Sequence, residues 1–400
     1  MKLSVIIVSY NVKHYVYQCL TSLFRSNTEH EFEVFVVDNA STDGTVEYLT
    51  ERFPTEDYPT LHIAGNKRNL GFGRANNQAL AKARGEYVLF LNPDTFVGES
   101  TLQECLAHAD SIGENLGVMG AYMLRDDGRF AFESRRGIPS PFTALCKITG
   151  LTSLFPKSTR LGRYYMRYLD ENAPTEIEIV SGAFMLGRRE ALLSLGGFDK
   201  EYFMYGEDID LSYRMLTSGR HNHYLPTPIM HYKGESTEKS SLKYVHRFYE
   251  AMYIFFNKHY SHYSLWLAII IRIAIYARGV LALISQGVKR MQKYFDMNTM
   301  ADQERYFAIV SPQNADKLRT LCEEWPLDAT ILTATAHTLP HGHNTPDIGV
   351  KPGDIVIYDT TAYTNDEILH IFRHGNHANG IGTYFPEEQL VVTHRNTFTP

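Results

Sequence analysis

Cysteine is scarce: Cys19, Cys105, Cys146 and Cys322 are the only 4 in 400 residues, far apart and with no CxxC pair. That argues against a zinc ribbon or a disulfide framework and suits a reducing compartment. A basic excess is also missing. The formal charge of −6 and pI near 6.3 exclude a general nucleic-acid binder, so no nucleic-acid partner is expected. After Lys2 the chain passes straight into a strand-like run with no signal-peptide pattern, and a cytoplasmic protein is expected. Arg272 and Arg278 interrupt the apolar run from Trp266 to Ile284, which fits an interfacial helix better than a bilayer-spanning one of roughly twenty apolar residues. The 28 glycines and 16 prolines are dispersed, so no low-complexity segment stands out. The length itself implies more than one domain.

What the chain does contain is a set of short β-branched runs that end in polar residues. Leu3 to Val8 ends at Ser9-Tyr10-Asn11, Phe32 to Val37 at Asp38-Asn39, and Tyr87 to Leu91 at Asn92-Pro93-Asp94. Helix-like segments at 12–26, 43–53 and 72–84 and a strand at 60–64 complete an alternation that predicts parallel pairing through right-handed crossovers. In such a sheet ligands bind beyond the carboxyl ends of the strands, so these polar residues should line one crevice. Asp38 can accept from a nucleobase imide or a ribose hydroxyl, and Asp94 can hold a divalent cation against a diphosphate. The first βα turn is not glycine-rich, which disfavours a nicotinamide-binding domain; Asn69-Leu70-Gly71-Phe72-Gly73 lies at a later turn, with Lys67 and Arg68 before it.

The densest acidic cluster is Tyr202-Phe203-Met204-Tyr205-Gly206-Glu207-Asp208-Ile209-Asp210, ahead of a helix-like run. Three carboxylates within four positions repel one another and raise each other's pKa values, which suits a general base, although N-terminal helix capping accounts for them too.

Taken in order, VIIVSYN, VVDNASTDGT, NLGFGRANN, LNPD, SGAFMLGRR, GGFDKEYFMYGEDIDLSYR and His231 resemble a family 2 glycosyltransferase, and most of all its bacterial rhamnosyltransferase-like members. The resemblance covers roughly residues 1–235. It implies an α/β fold of the GT-A nucleotide-sugar-binding type, with a central mostly parallel sheet, and inverting sugar transfer from a nucleoside diphosphate sugar, dTDP-rhamnose or a UDP-sugar. The acceptor it implies is a saccharide or a polyprenyl-diphosphate-linked saccharide. By the same resemblance, Ser9, Tyr10, Asn11, Asp38, Asn39, Arg68, Asn69, Asn92 and Asp94 bind the donor, while Asp94 and His231 hold a divalent cation, Mn²⁺ or Mg²⁺. Asp94 matches the last position of the family's DxD motif, whose first position is the neutral Asn92 here. Asp208 matches the second residue of the ED pair and is the expected base, with Glu207 beside it and Asp210 and Gly182 on the acceptor side. Lys233 and Ser236 are further candidate phosphate contacts. The rival readings are an inactive nucleotide-sugar-binding scaffold, and an oxidoreductase or nucleotidyltransferase on a related sheet.

The resemblance points to a first domain over 1–238. Within it, residues 125–175 form an irregular basic stretch, with Arg135, Arg136, Arg160, Arg163 and Arg167 among Pro139, Pro141 and Pro156, readable as an acceptor-side loop or as a surface insertion. A strand is expected over 179–182, then a strand and helix up to Leu195. Residues 239–298 read as a helical segment in peripheral contact with the membrane at 264–286, with Lys289, Arg290 and Lys293 beyond and Tyr249, Tyr253, Tyr260, Tyr263 and Trp266 as an aromatic belt; a short span and a buried helical hairpin are the alternatives. That places the protein at the inner face of the cell membrane. Residues 299–400 alternate again and predict a small α/β domain, with strands at 306–310, 329–332 and 354–358 and helices at 313–324 and 365–374. His370, His374 and His377 share a face if the second helix runs on, giving either a metal site or solvent-facing histidines.

Overall fold

The computed structural model describes residues 1–232, 242–260, 304–325 and 327–399. Among these, the N-terminal part is built from β1 (Leu3–Ser9), α1 (Lys13–Phe24), β2 (Phe32–Asp38), α2 (Thr45–Arg52), β3 (Leu61–Gly65), α3 (Phe72–Leu80) and β4 (Tyr87–Leu91). It continues through β5 (Thr95–Val97), α4 (Thr101–Ile112), β6 (Leu116–Leu124), α5 (Pro141–Ile148), α6 (Leu151–Leu154), β7 (Thr175–Ile177) and β8 (Phe184–Arg188). It closes with α7 (Arg189–Ser194), α8 (Glu207–Thr217), β9 (His221–His231) and α9 (Leu242–His259). The strands join in one sheet of order β3-β2-β1-β4-β8-β6-β9-β5, with β7 pairing β9. The first four strands are parallel; β8 runs antiparallel to both β4 and β6. β1, β4 and β6 are buried along their whole length, which is why they read as unbroken apolar runs rather than alternating ones.

Register does the positioning. Ser9 lies opposite Asp38, and Ile7 opposite Leu91, so the ends of β1, β2 and β4 open on one edge. Beyond Asp94 the chain turns into β5, whose Thr95 pairs with His231 of β9. The expected strand at 179–182 is absent: Ile179 makes only an isolated bridge with Arg136, and Val180 N–H donates to the Ser212 hydroxyl. The segment leaves the sheet so that Ser181, Gly182 and Ala183 can reach the crevice.

A second, six-stranded sheet comprises β10 (Tyr306–Val310), β11 (Ala329–Thr333), β12 (Ile355–Asp359), β13 (Gly380–Phe385), β14 (Leu390–Thr393) and β15 (Thr397–Phe398), in order β11-β10-β12-β13-β14-β15. α10 (Ala315–Glu324) and α11 (Asn365–Arg373) connect it. β14 of this sheet packs on α1, α11 packs on β5 and β9, and the core residues of the two sheets merge. The junction is specific. Glu99 accepts the N–H groups of Asn365 and Asp366 at 2.8 Å each, capping the start of α11 from the other sheet, and the Asp366 carboxylate returns to Ser100 N–H at 3.0 Å. α11 ends at Arg373, so His377, at φ +55°, is off the helix. The His370 and His374 rings lie 4.3 Å apart at a 38° tilt, and the described residues contain no cluster of three or more metal-ligating side chains. The segment expected to meet the membrane, 264–286, lies outside the described residues. Among those that are described, no helix is long and apolar enough to cross a bilayer.

Candidate active site

The donor side is a set of turns pinned by their own polar residues. Asp38 is buried and accepts from Ser9 Oγ at 3.0 Å and from Ser41 N–H at 2.8 Å. Asn11, at φ +55°, accepts Thr42 N–H at 2.7 Å and so ties the loop after β1 to the loop after β2, while Tyr10 stands exposed beside it. Asn39 is buried and reaches outward to the next loop. Its amide donates to Asn69 Oδ1 at 2.9 Å, and its Oδ1 accepts Leu70 N–H at 2.9 Å. Lys67 and Arg68 are exposed on that same loop. At Gly71, φ is +86° and a Cβ would collide with the Phe203 carbonyl oxygen, which accepts Phe72 N–H at 2.9 Å. The glycine pair of NLGFG therefore brings the donor loop against the turn before α8.

At the other end of the crevice, His231 Nε2 lies 3.3 Å from Asp94 Oδ1 and 3.2 Å from Asn92 Nδ2, and Tyr232 N–H donates to Asp94 O at 3.0 Å. A single imidazole nitrogen cannot donate to the carboxylate and accept from the amide at once. The arrangement suits a cation, toward which a neutral imidazole and a carboxylate can both turn. Two such ligands match a Mg²⁺- or Mn²⁺-type site that is completed by substrate phosphate and water rather than by a protein cage. Lys233 and Ser236 lie outside the described residues.

The acids of α8 separate into three environments. Tyr205 at φ +71° and Gly206 at φ +80° turn the chain sharply into the helix, and no side chain caps it. Asp208 Oδ2 pairs with Arg136 and accepts Gly182 N–H at 3.1 Å, while Oδ1 accepts Ile209 N–H at 2.8 Å. Burial works against the charge on Arg136, but the Asp208 carboxylate more than offsets it and holds the guanidinium above its ordinary pKa. Glu207 is buried with Oε2 unpartnered among the described residues; burial first, then the Asp208 charge, pushes its carboxyl up to about 8. Burial outweighs the opposing pull of the Arg136 charge on Glu207. Asp210 does not reach the acceptor side. It is fully buried, accepting from Arg214 Nε at 2.6 Å and His259 Nε2 at 2.7 Å, and so fastens α9 to α8.

Glu207 carries a pH prediction. Its folded pKa exceeds that of an unfolded glutamate, so between about 4.5 and about 8 the folded state keeps a proton that the unfolded state has released. Stability falls as pH rises through that window, by at most about 1.4 kcal/mol per pH unit, and levels above it. Glu207→Gln removes this slope. Denaturant midpoints of both proteins at about pH 5 and about pH 8.5 check it, and parallel changes in the two would take the proton off Glu207.

Two consecutive residues join the ends of the crevice. Ala183 O accepts Asn92 N–H at 2.9 Å, while Gly182 N–H donates to Asp208. Gly182 and Ala183 therefore link the loop that carries Asp94 to Asp208 at the carboxyl end of β4. Arg136 is the member that sequence reading left among a general basic stretch; nothing local ties it to a residue 72 positions away.

The model of the family Glycosyl transferase family 2 matches residues 4–196. The N-acetylglucosaminyl-diphospho-decaprenol L-rhamnosyltransferase of Mycobacterium tuberculosis is 30% identical over 273 residues, 65% of this chain and 85% of that protein. This chain belongs to the family 2 glycosyltransferases. The Escherichia coli rhamnosyltransferase WbbL is 29% identical to this glycosyltransferase over 232 residues, covering 56% of it and 80% of WbbL. Among solved structures, Staphylococcus aureus TarS 1-349 in complex with UDP-GlcNAc is similar at 24% identity and TM-score 0.43, over 64% of this chain and 65% of that one.

Proposed function

We propose that this glycosyltransferase moves a sugar from a nucleoside diphosphate sugar to a lipid-linked saccharide with inversion, in the synthesis of a cell-surface polysaccharide at the inner face of the membrane. dTDP-rhamnose is the first donor to test and a UDP-sugar the second; polyprenyl-diphosphate-linked saccharide is the acceptor class. The rhamnosyltransferase relatives support the donor and acceptor, and the observation that carries the chemistry is the Gly182-Ala183 bridge between Asn92 and Asp208.

In this reading Ser9, Tyr10, Asn11, Asp38 and Asn39 form the nucleoside pocket, and Asn69 and Arg68 extend it towards the diphosphate. Asp94 and His231, with Asn92 alongside, would hold Mn²⁺ or Mg²⁺. A cation held there supplies Lewis-acid neutralisation of the leaving diphosphate. Asp208 takes the acceptor proton. Its Oδ2 is occupied by Arg136 and Gly182 N–H, whereas Oδ1, which accepts one N–H, has a second lone pair for the acceptor hydroxyl. The acceptor oxygen bonds to the anomeric carbon as the bond to the diphosphate breaks on the opposite face, inverting that carbon.

A thermal-shift panel of dTDP-rhamnose, UDP-glucose and UDP-N-acetylglucosamine, with Mn²⁺ or with chelator, tests the reading. One donor should raise Tm by a few degrees at about 100 times its Kd, and chelation should abolish the rise. No shift with any of them would overturn the donor site, whereas a shift without transfer to a lipid-linked saccharide would favour the inactive nucleotide-sugar-binding scaffold.

A further inference from the structure

The helical hairpin between β6 and β7 is built inside out. In α5, Thr143 and Cys146 are buried, whereas Phe142 and Leu145, three residues apart on one face, are 54% and 45% exposed. In α6, Thr152 is buried with its hydroxyl donating to Leu161 O at 3.0 Å, whereas Leu154 is 72% and the following Phe155 51% exposed. Four of the nine large exposed apolar side chains among the described residues thus fall within 14 consecutive positions, 142 to 155. Water gives no reason to bury two threonines and display two phenylalanines and two leucines.

The charge around this face has one sign. Between Glu133 and Asp170 the chain carries seven Lys or Arg residues and no acid, although the whole molecule is at −6. Arg136 and Arg163 are paired inward with Asp208 and Glu178. Lys157 and Arg160 are exposed just beyond Phe155.

We infer that α5 and α6 form the docking surface of this enzyme on an anionic phospholipid bilayer, with the four apolar side chains entering the interface and Lys157 and Arg160 meeting the headgroups. The inference rests on the proposed lipid-linked acceptor and places the bilayer beside the base. Arg136, on Asp208, lies four residues before Ser140, the N-cap of α5, a span of at most about 14 Å. Ile138 N–H on Glu178 at 2.6 Å and Gly137 N–H on Tyr164 O at 3.1 Å hold that short connection. A polyprenyl-diphosphate acceptor lying in the membrane would present its saccharide to Asp208 across this rim.

The test uses the full chain and vesicles of phosphatidylcholine with and without phosphatidylglycerol. Wild type should sediment with the anionic vesicles. The triple variant Phe142→Ser/Leu154→Ser/Phe155→Ser should bind them at least about tenfold more weakly, because buried apolar area drives interfacial binding. Lys157→Glu/Arg160→Glu should lose the preference for the anionic lipid. Both variants should keep the donor-dependent thermal shift, since the altered side chains lie outside the donor crevice. Unchanged vesicle binding by the triple variant, with the donor shift intact, would overturn the membrane surface and leave the transferase reading standing. Loss of a wild-type dimer in sedimentation velocity by that variant, without vesicle binding by wild type, would also overturn it and make the face a contact between two copies. Absence of any donor shift in wild type would strike the transferase reading instead.

Discussion

Asp208→Asn is expected to lower kcat by about 10² to 10⁴ while leaving donor affinity within about twofold of wild type. The amide preserves the side chain's volume and can still accept Gly182 N–H, so the turn into α8 should stand. What it loses is the capacity to take a proton from the acceptor. Single-turnover transfer measured beside calorimetric donor binding separates the two effects. Turnover above about a tenth of wild type would remove Asp208 from the base role.

Asp94→Ala is expected to weaken donor binding in Mn²⁺ by at least about tenfold and to make that binding indifferent to chelation. His231→Ala should act in the same direction, and the double variant should be little worse than either single one, because two ligands of one ion are not independent. The 3.3 Å approach of His231 Nε2 to Asp94 Oδ1 is the reason to expect this coupling. If chelation still lowers donor affinity in Asp94→Ala as much as in wild type, the cation is held elsewhere.

Much of the frame was legible in the chain. β1, β2 and β4 fall within a residue or so of their expected limits, and the strands of the second sheet do nearly as well. Short β-branched runs buried on both faces allow few other conformations. Less legible were segments whose form depends on a distant partner. Residues 179–182 have strand-like composition, yet Arg136 and Ser212 take their hydrogen bonds and Gly182 turns to Asp208. The helix before His377 stops at Arg373, so a face that periodicity would have continued is never formed.

The three acids of α8 show where the division falls. Their presence at 207, 208 and 210, just ahead of a helix, follows from the chain itself. Their different roles do not. Glu207 is raised by burial and by the Asp208 charge, Asp208 is met by an arginine 72 residues earlier, and Asp210 is locked between Arg214 and a histidine 49 residues later. By itself the sequence determined the elements, their parallel order and which side chains could do chemistry, because those depend on local propensity and hydrophobic period. Tertiary structure alone decided which carboxylate is raised, which is paired and which is structural, because desolvation and Coulomb interactions depend on distance in space rather than along the chain.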